Sequence, residues 1–287
     1  MKRFFGVYIL ILIFFGGFVF YQVVKFNDSK LHIIFCDVGQ GNGAFIRTAS
    51  NKNFLIDVGP DEKIIGCLER HLPFWERNIS VGFLTHPHLD HFAGFNFVIK
   101  RYNLLSFVTE DLNNKSSSFR GLVAQLKDRR IEIKYLTPQD SFKIKDGTRF
   151  LVLGPSKEFI NKTSPSGQIG ESKEFASLII LLSYGSFTSI FTGDSQAPGL
   201  SEAISGSLQN IKVLQVPHHG SKTGLSAEIL NKLKPGYAII SVGKNNKYGH
   251  PAAITLNLLN KFNIKTLRTD KNGDIEIISD GKSFEIR

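Results

Sequence analysis

At 287 residues, with 42% hydrophobic and 21% charged residues, the chain is long enough for one large globular domain or two small ones, and its composition excludes a disordered or fibrous protein. The formal net charge of +10 suits a polyanionic partner such as nucleic acid, anionic lipid or wall polymer, while a basic surface that merely aids solubility fits the same number. Many of the basic residues fall after Asp194, among them Lys212, Lys222, Lys232, Lys244, Lys247, Lys261 and Lys265.

The first thirty residues stand apart. Lys2-Arg3 precedes an apolar run that carries no charge from Phe4 to Val24, and a helix of that length spans a hydrocarbon core of roughly 30 Å. Tyr8 and Tyr21 lie towards its two ends, where aromatic rings favour the interface. The expectation is an anchor through residues 4–24, with residues 1–30 as anchor and short linker. A cleaved signal is the alternative, disfavoured because Gly16-Gly17-Phe18 is a poor cleavage site and the apolar run continues past it. Lys2 and Arg3 favour a cytoplasmic N-terminus, which places the remainder outside the cytoplasm.

From Leu31 onward strands and helices alternate without repeats or low-complexity segments. Strands are expected at Leu31–Phe35, Ala44–Arg47, Asn53–Asp57 and Ser80–Thr85, with a helix at Ile64–His71 between the last two. Helices follow at Phe92–Tyr102 and Ser116–Arg130, then strands at Ile131–Leu136 and Phe150–Pro155. Glu158 to Lys173 reads as a mobile polar loop. The hairpin Ser177–Tyr184/Ser186–Thr192 comes next. Beyond it lie the strands Lys212–Pro217, Tyr237–Val242, Lys265–Arg268 and Asp274–Ile278, with helices at Ser226–Leu233 and Ala252–Phe262. The two cysteines, Cys36 in a strand and Cys67 in a helix, are expected to be buried free thiols, since nothing in the sequence fixes their separation. Strand blocks with inserted helices point to a layered α/β domain over residues 31–287.

His86-Pro87-His88-Leu89-Asp90-His91 concentrates three imidazoles and a carboxylate directly after the run Val81–Leu84. Imidazole and carboxylate ligands suit Zn²⁺, Mn²⁺ or Fe²⁺, and no nearby thiolate suggests a structural zinc site. His86 and His88 share a face in extended geometry, while Asp90 and His91 can point to a second ion. A binuclear site needs a bridging carboxylate and a further imidazole, and Asp194 (after Gly193) and the pair His218-His219 supply them. Taken alone, Asp194 would be a turn residue and either histidine a hydrogen-bonded loop residue. Asp57, at the end of Phe54–Asp57, is expected to support the histidine loop rather than to bind metal.

These residues resemble the metallo-β-lactamase fold superfamily in the order HxHxDH, then Gly-Asp, then a late His. More narrowly, Phe35-Cys36-Asp37-Val38-Gly39-Gln40-Gly41, Val216-Pro217-His218-His219-Gly220-Ser221-Lys222-Thr223 and Ser241-Val242-Gly243 with Tyr248-Gly249-His250-Pro251 resemble the hydrolase domain of the ComEC competence proteins. The resemblance covers Leu31 to the C-terminus and implies a four-layer αββα sandwich, preceded here by one transmembrane helix. Three departures matter: His88 stands where that pattern commonly has Asp, Asn42 where it has Asp after Gly-Gln-Gly, and Glu174-Phe175-Ala176 where Asn residues tend to precede the Ser177 strand. Lys173 to Ala176 also lack the additional metal-binding His of many superfamily members. A single hydrophobic segment stands in place of the multi-span channel.

The resemblance implies a membrane-bound hydrolase with two divalent ions, zinc or manganese. His86, His88 and Asp194 would hold one, and Asp90, His91, Asp194 and His219 (or His218) the other. Asp90 and His250 are the candidate catalytic groups, with a water activated between the ions attacking phosphorus and His250 assisting the leaving or a non-bridging oxygen. Substrate contacts are expected at Ser177, Ser221, Lys222, Lys244, Lys247 and Tyr248, and structural support from Asp37 and Asp57. The expected substrate is DNA, single-stranded, during uptake, with a separate channel protein as a further partner. Hydrolysis of wall polymers or phosphocholine-type esters is one alternative, and a non-catalytic DNA-binding accessory the other.

Overall fold

The computed structural model describes residues 2–172, 176–206, 208 and 210–287, with side chains from Val7 onward. Apolar strand runs, buried on both faces at the centre, make two sheets that stack face to face. The first runs, edge to edge, through Phe284–Ile286, Ile275–Ser279, Leu31–Phe35, Gly43–Arg47, Asn53–Val58, Val81–Phe83, Ser106–Thr109 and Glu132–Tyr135. The second runs through Lys265–Arg268, Tyr237–Ile240, Val213–Gln215, Phe187–Phe191, Ile179–Tyr184, Arg149–Gly154 and Ser141–Lys143. Within Leu31–Phe35 the odd residues Leu31, Ile33 and Phe35 enter the core between the sheets with Phe54, Phe83, Phe150 and Phe191. Ile34 and Cys36 point the other way, to a core shared with the helices Lys63–His71, Phe95–Arg101 and Ser117–Asp128. A third core packs Ile190, Leu214 and Ile240 against Ala197–Ala203, Ala227–Leu233 and Ala253–Lys261. Helix, sheet, sheet, helix is the four-layer αββα sandwich that the resemblance implied.

Both sheets change character partway across. Asn53–Val58, Val81–Phe83, Ser106–Thr109 and Glu132–Tyr135 pair in parallel, as do Phe187–Phe191, Val213–Gln215, Tyr237–Ile240 and Lys265–Arg268. The carboxyl ends of parallel strands gather the loops that follow them, which is where α/β folds build sites. Asp57, His86, Asp194, His218 and His219 all lie at such ends.

Two expectations are corrected. Cys36 and Cys67 form a disulfide across a Cα–Cα separation of 5.8 Å, and no free cysteine remains. The strand end and the helix Lys63–His71 pack side by side and turn both thiols into one core, a proximity that linear sequence does not encode. The polar stretch from Glu158 is not all loop: Lys157–Thr163 is a helix, begun by Ser156 Oγ accepting from Phe159 N–H at 3.0 Å and held down by buried Phe159. The expectations for Lys173, Glu174 and Phe175 lie outside the described residues.

One further helix, Lys2–Phe26, precedes the sandwich, and its segment Val7–Phe26 is long and apolar enough to cross a membrane. Its last turn is fastened to the domain. Phe26 is buried, Arg47 Nη1 donates to the Phe26 carbonyl and reaches Asp28 at 3.8 Å, and Asp28 accepts from His32 Nε2 at 2.8 Å.

Candidate metal centre

The site is assembled from four strand ends. After Val81–Phe83 the chain turns so that the buried His86 and the half-buried His88 lie together, His86 Nε2 3.0 Å from His88 Nδ1. The short helix Leu89–Phe92 then carries Asp90 and His91 back over the sheet. Gly193, at φ 50°, lets the chain turn beneath Ser177 and Thr85, where a Cβ would strike both hydroxyls, and Asp194 enters the cluster next. His218, His219 and Gly220 take three successive left-handed conformations (φ 51°, 54° and 81°), a costly backbone for two non-glycine residues. That turn sends the two imidazoles apart, with ring centroids 6.0 Å from each other.

Donor atoms converge on Asp194. His91 Nε2 lies 3.2 Å and His219 Nε2 3.6 Å from its Oδ1, while His86 Nε2 and His218 Nε2 lie 3.7 and 3.6 Å from its Oδ2. His219 Nε2 is also 3.2 Å from Asp90 Oδ2. Two overlapping sets result: His86, His91 and Asp194, all buried, and Asp90, His91 and His219. The ambiguity between the paired histidines is thereby divided: His219 joins Asp90 and His91, and His218 stands on the His86 side of Asp194. The grouping departs from expectation in that His91 contributes to both sets, while His88 lies beside His86, as expected, but is in neither set.

The outward-facing nitrogens fix the inward-facing ones. His91 Nδ1–H donates to Asp57 Oδ2 at 2.7 Å, and His219 Nδ1–H to the Ser241 carbonyl at 2.9 Å. Asp57 accepts two further bonds, from Thr85 N–H and Thr85 Oγ1–H, each at 2.8 Å. Thr85 Oγ1, already donating to Asp57, can accept from His86 Nδ1–H at 3.2 Å. Each Nε2 lone pair is therefore aimed at the centre, the arrangement by which metal-binding imidazoles are oriented.

Charge follows from the same geometry. Burial alone would depress His91, but the carboxylates of Asp194, Asp57 and Asp90 outweigh it and hold the imidazolium well above its usual range. His219 is raised likewise, against burial, by Asp194 and by its bond to Asp90. Burial would raise Asp90 and Asp194, yet the surrounding histidines hold both below the ordinary carboxylate range. Burial lowers His86, His88 and His218, with neighbouring imidazoles adding to it. The centre of the cluster thus favours positive charge. His91 Nε2 and Asp194 Oδ1 are buried, face each other and make no aligned hydrogen bond, so a divalent cation fits the residues present. The other cluster of metal-type residues, Cys67, His71 and Asp274, has lost its thiol to the disulfide.

The remaining expected residues lie at varied depths. His250 is half-buried at the rim, its ring 5.6 Å from His218 and stacked by the 70% exposed Tyr248 at 6.0 Å. Burial, then His218 and His219, lower its imidazole. Lys222, Lys244 and Lys247 are exposed. Ser177, expected to touch substrate, is instead 1% exposed beneath Asp194, where its Oγ accepts from the Asp194 N–H at 3.2 Å. Its burial makes it a positioning residue. Ser221 is also buried, and its carbonyl accepts from Thr255 Oγ1–H at 2.9 Å. Asp37 sits away from the cluster, accepting from Gly39 N–H at 3.2 Å.

Several contributors escaped the sequence reading. Ser241 acts through its carbonyl, which no side-chain pattern reveals. Asn246 donates to the carbonyls of Gly243 and His250 and accepts from His250 N–H, folding the loop that presents His250. Glu110, at the end of Ser106–Thr109, is fully buried with neither oxygen hydrogen-bonded among the described residues, and burial followed by Asp57 pushes its carboxyl well up. Its position directly after an apolar strand, like that of Asp57, was the available signal.

Comparison with known proteins agrees with this fold. The family profile described as "Metallo-beta-lactamase superfamily" matches residues 36–152. The chain is 29% identical over 274 residues to ComE operon protein 3 of Bacillus subtilis (strain 168), covering 87% of this chain and 33% of that protein. It is 27% identical over 265 residues to competence protein ComA of Neisseria gonorrhoeae, covering 91% and 34% respectively. The chain therefore spans about a third of the length of these relatives. Among solved structures it is similar in fold to the metallo-β-lactamase fold protein YhfI from Bacillus subtilis, with TM-score 0.54, 11% identity, and coverage of 85% of this chain and 98% of that one.

Proposed function

From the premise that the chain carries a metallo-β-lactamase-fold domain similar to that of the competence proteins, we propose that it is a membrane-anchored, metal-dependent phosphodiesterase that cuts DNA during uptake. The observation that carries the hydrolytic reading is the convergence of His86, His91, His219, Asp90 and Asp194 with their outer nitrogens already bonded. Divalent ions held by these residues and by His88 and His218 would acidify a water and draw negative charge from the phosphoryl oxygens.

The chain's own groups supply the rest. Asp57 and the Ser241 carbonyl keep the imidazoles from rotating, so the donor set stays preorganised. Ser177 holds Asp194 through its backbone N–H. Burial and the neighbouring imidazoles favour the neutral form of His250, whose ring N–H can donate to a non-bridging phosphoryl oxygen. Tyr248, stacked on His250 and exposed, offers a face to a nucleobase, and Lys222, Lys244 and Lys247 offer charge to neighbouring phosphates. The Cys36–Cys67 disulfide supports an extracytoplasmic domain, because such bonds persist in oxidising compartments.

The test uses the full chain in detergent, stripped of metal and reloaded with Zn²⁺ or Mn²⁺, against single- and double-stranded DNA and a phosphocholine ester. DNA cleavage that disappears in Asp194→Asn and on chelation is expected. Cleavage of the ester alone would move the substrate to the wall-polymer class, and tight DNA binding without turnover under either metal would leave a binding accessory.

A further inference from the structure

The chain's single tryptophan, Trp75, lies in the segment Pro73-Phe74-Trp75, between the helix Lys63–His71 and the strand Asn78–Ile79. Phe74 and Trp75 are 44% and 45% exposed, an unusual pair of large aromatic faces to leave to water. Phe74 does not point away from the long N-terminal helix. It stacks on Phe18 with ring centroids 5.5 Å apart, and Trp75 packs edge-on against Phe74 at 4.9 Å. Phe18 lies eight residues, or about 12 Å of helix, below the end of that helix at Phe26. The loop therefore descends alongside the apolar helix instead of stopping at its top.

The turn above Phe18 has different surroundings. Gln22, Asn27, Arg47, Asn53 and Glu76 bring polar side chains into the wall of a cavity of about 210 Å³ that Trp75 and other apolar residues also line, and those polar groups belong beside water or headgroups rather than in hydrocarbon. Gln22 Oε1 is buried with no hydrogen-bond partner among the described residues, a burial that surrounding hydrocarbon would make costlier still. Residues 4–21 by themselves measure about 27 Å as a helix, enough for the hydrocarbon core of a bilayer.

Resting on the reading of the helix as an anchor, we propose that the membrane boundary crosses it between Phe18 and Gln22, and that Phe74 and Trp75 form a second foot which seats the domain in the headgroup region of the same bilayer. Aromatic rings beside apolar surface are at home at that depth. The last helical turn then stands clear of lipid, pinned to the domain by Arg47 and Asp28, so foot and helix fix the orientation of the domain together.

Trp75 is its own reporter. The full chain is reconstituted into phosphatidylcholine–phosphatidylglycerol vesicles whose acyl chains carry bromine near the headgroup, and tryptophan emission is compared with that in unbrominated vesicles. We expect emission to fall about twofold or more in the brominated vesicles, with little further quenching by aqueous acrylamide. A chain that floats with the vesicles but emits equally in both lipids overturns the foot while leaving the anchor intact. A chain that does not float overturns the anchor and the foot with it. Phe74→Asp, at an exposed position, is expected to keep the thermal melting of the domain and to lose most of the quenching by brominated lipid; unchanged quenching would count against the foot.

Discussion

Asp57 is asked to accept three hydrogen bonds on two oxygens, from Thr85 N–H, Thr85 Oγ1–H and His91 Nδ1–H. An amide offers only one oxygen in its place. Asp57→Asn should therefore leave His91 free to rotate and weaken metal affinity by roughly 10- to 100-fold, measured by competition with a chelator of known affinity. Metal affinity equal to that of the wild type would show that packing alone orients His91. The sequence made Asp57 visible as a support, because an acid closing an apolar strand beside a histidine-rich loop has few other uses. It could not separate His218 from His219, since the choice depends on three consecutive left-handed residues and not on composition. Ser177 misled for a related reason: a serine after a motif looks accessible until the strand it begins is found beneath Asp194.

Among the elements, the helix Lys63–His71 is tied to the first sheet at two points, and each gives a measurable consequence. Replacing both Cys36 and Cys67 by Ser opens a cross-link between residues 31 apart in sequence and should cost about 3–4 kcal/mol of unfolding free energy, read from urea curves. Equal stability of the reduced and oxidised wild type would remove that expectation. At the other end of the helix, Asp274 takes bonds from Arg70 and His71 and from the Asp37 N–H. Burial would raise its carboxyl, but these partners lower it to about 2. A depressed carboxyl contributes stability above its unfolded value, near 3.8, that drains away as pH falls towards 2. Asp274→Asn should thus be about 2 kcal/mol less stable than the wild type at pH 7, with the gap closing between pH 4 and 2. A gap that persists at pH 2 would trace the loss to packing. These ties were illegible beforehand because their partners lie far apart in the chain, whereas the apolar strand runs Leu31–Phe35 and Phe54–Ile56 could be read locally. The helix Lys157–Thr163 was hidden differently: its one buried apolar side chain, Phe159, is too little to make a periodic signal in a polar stretch.

For the molecule as a whole, the charge of +10 becomes informative only once Lys222, Lys244 and Lys247 are seen exposed on the loops that follow the histidine pair and lead to His250. Binding of single-stranded DNA should weaken steeply with salt, and converting all three lysines to Ala should flatten the log–log slope by about 2 if each meets a phosphate. An unchanged slope would place the DNA elsewhere on the basic surface.

The strand Val81–Phe83 has one further consequence. Its amino end follows the segment bearing Phe74 and Trp75, and its carboxyl end delivers His86. From Ser80 to Phe83 the chain advances about 10 Å, and the turn beyond it carries His86 onward. With the anchor in a bilayer, the candidate metal centre would ride above the lipid surface, facing away from it and out of reach of the headgroups beneath. A site so placed would suit a polymer threading past from the aqueous side and would poorly suit the lipids beneath it.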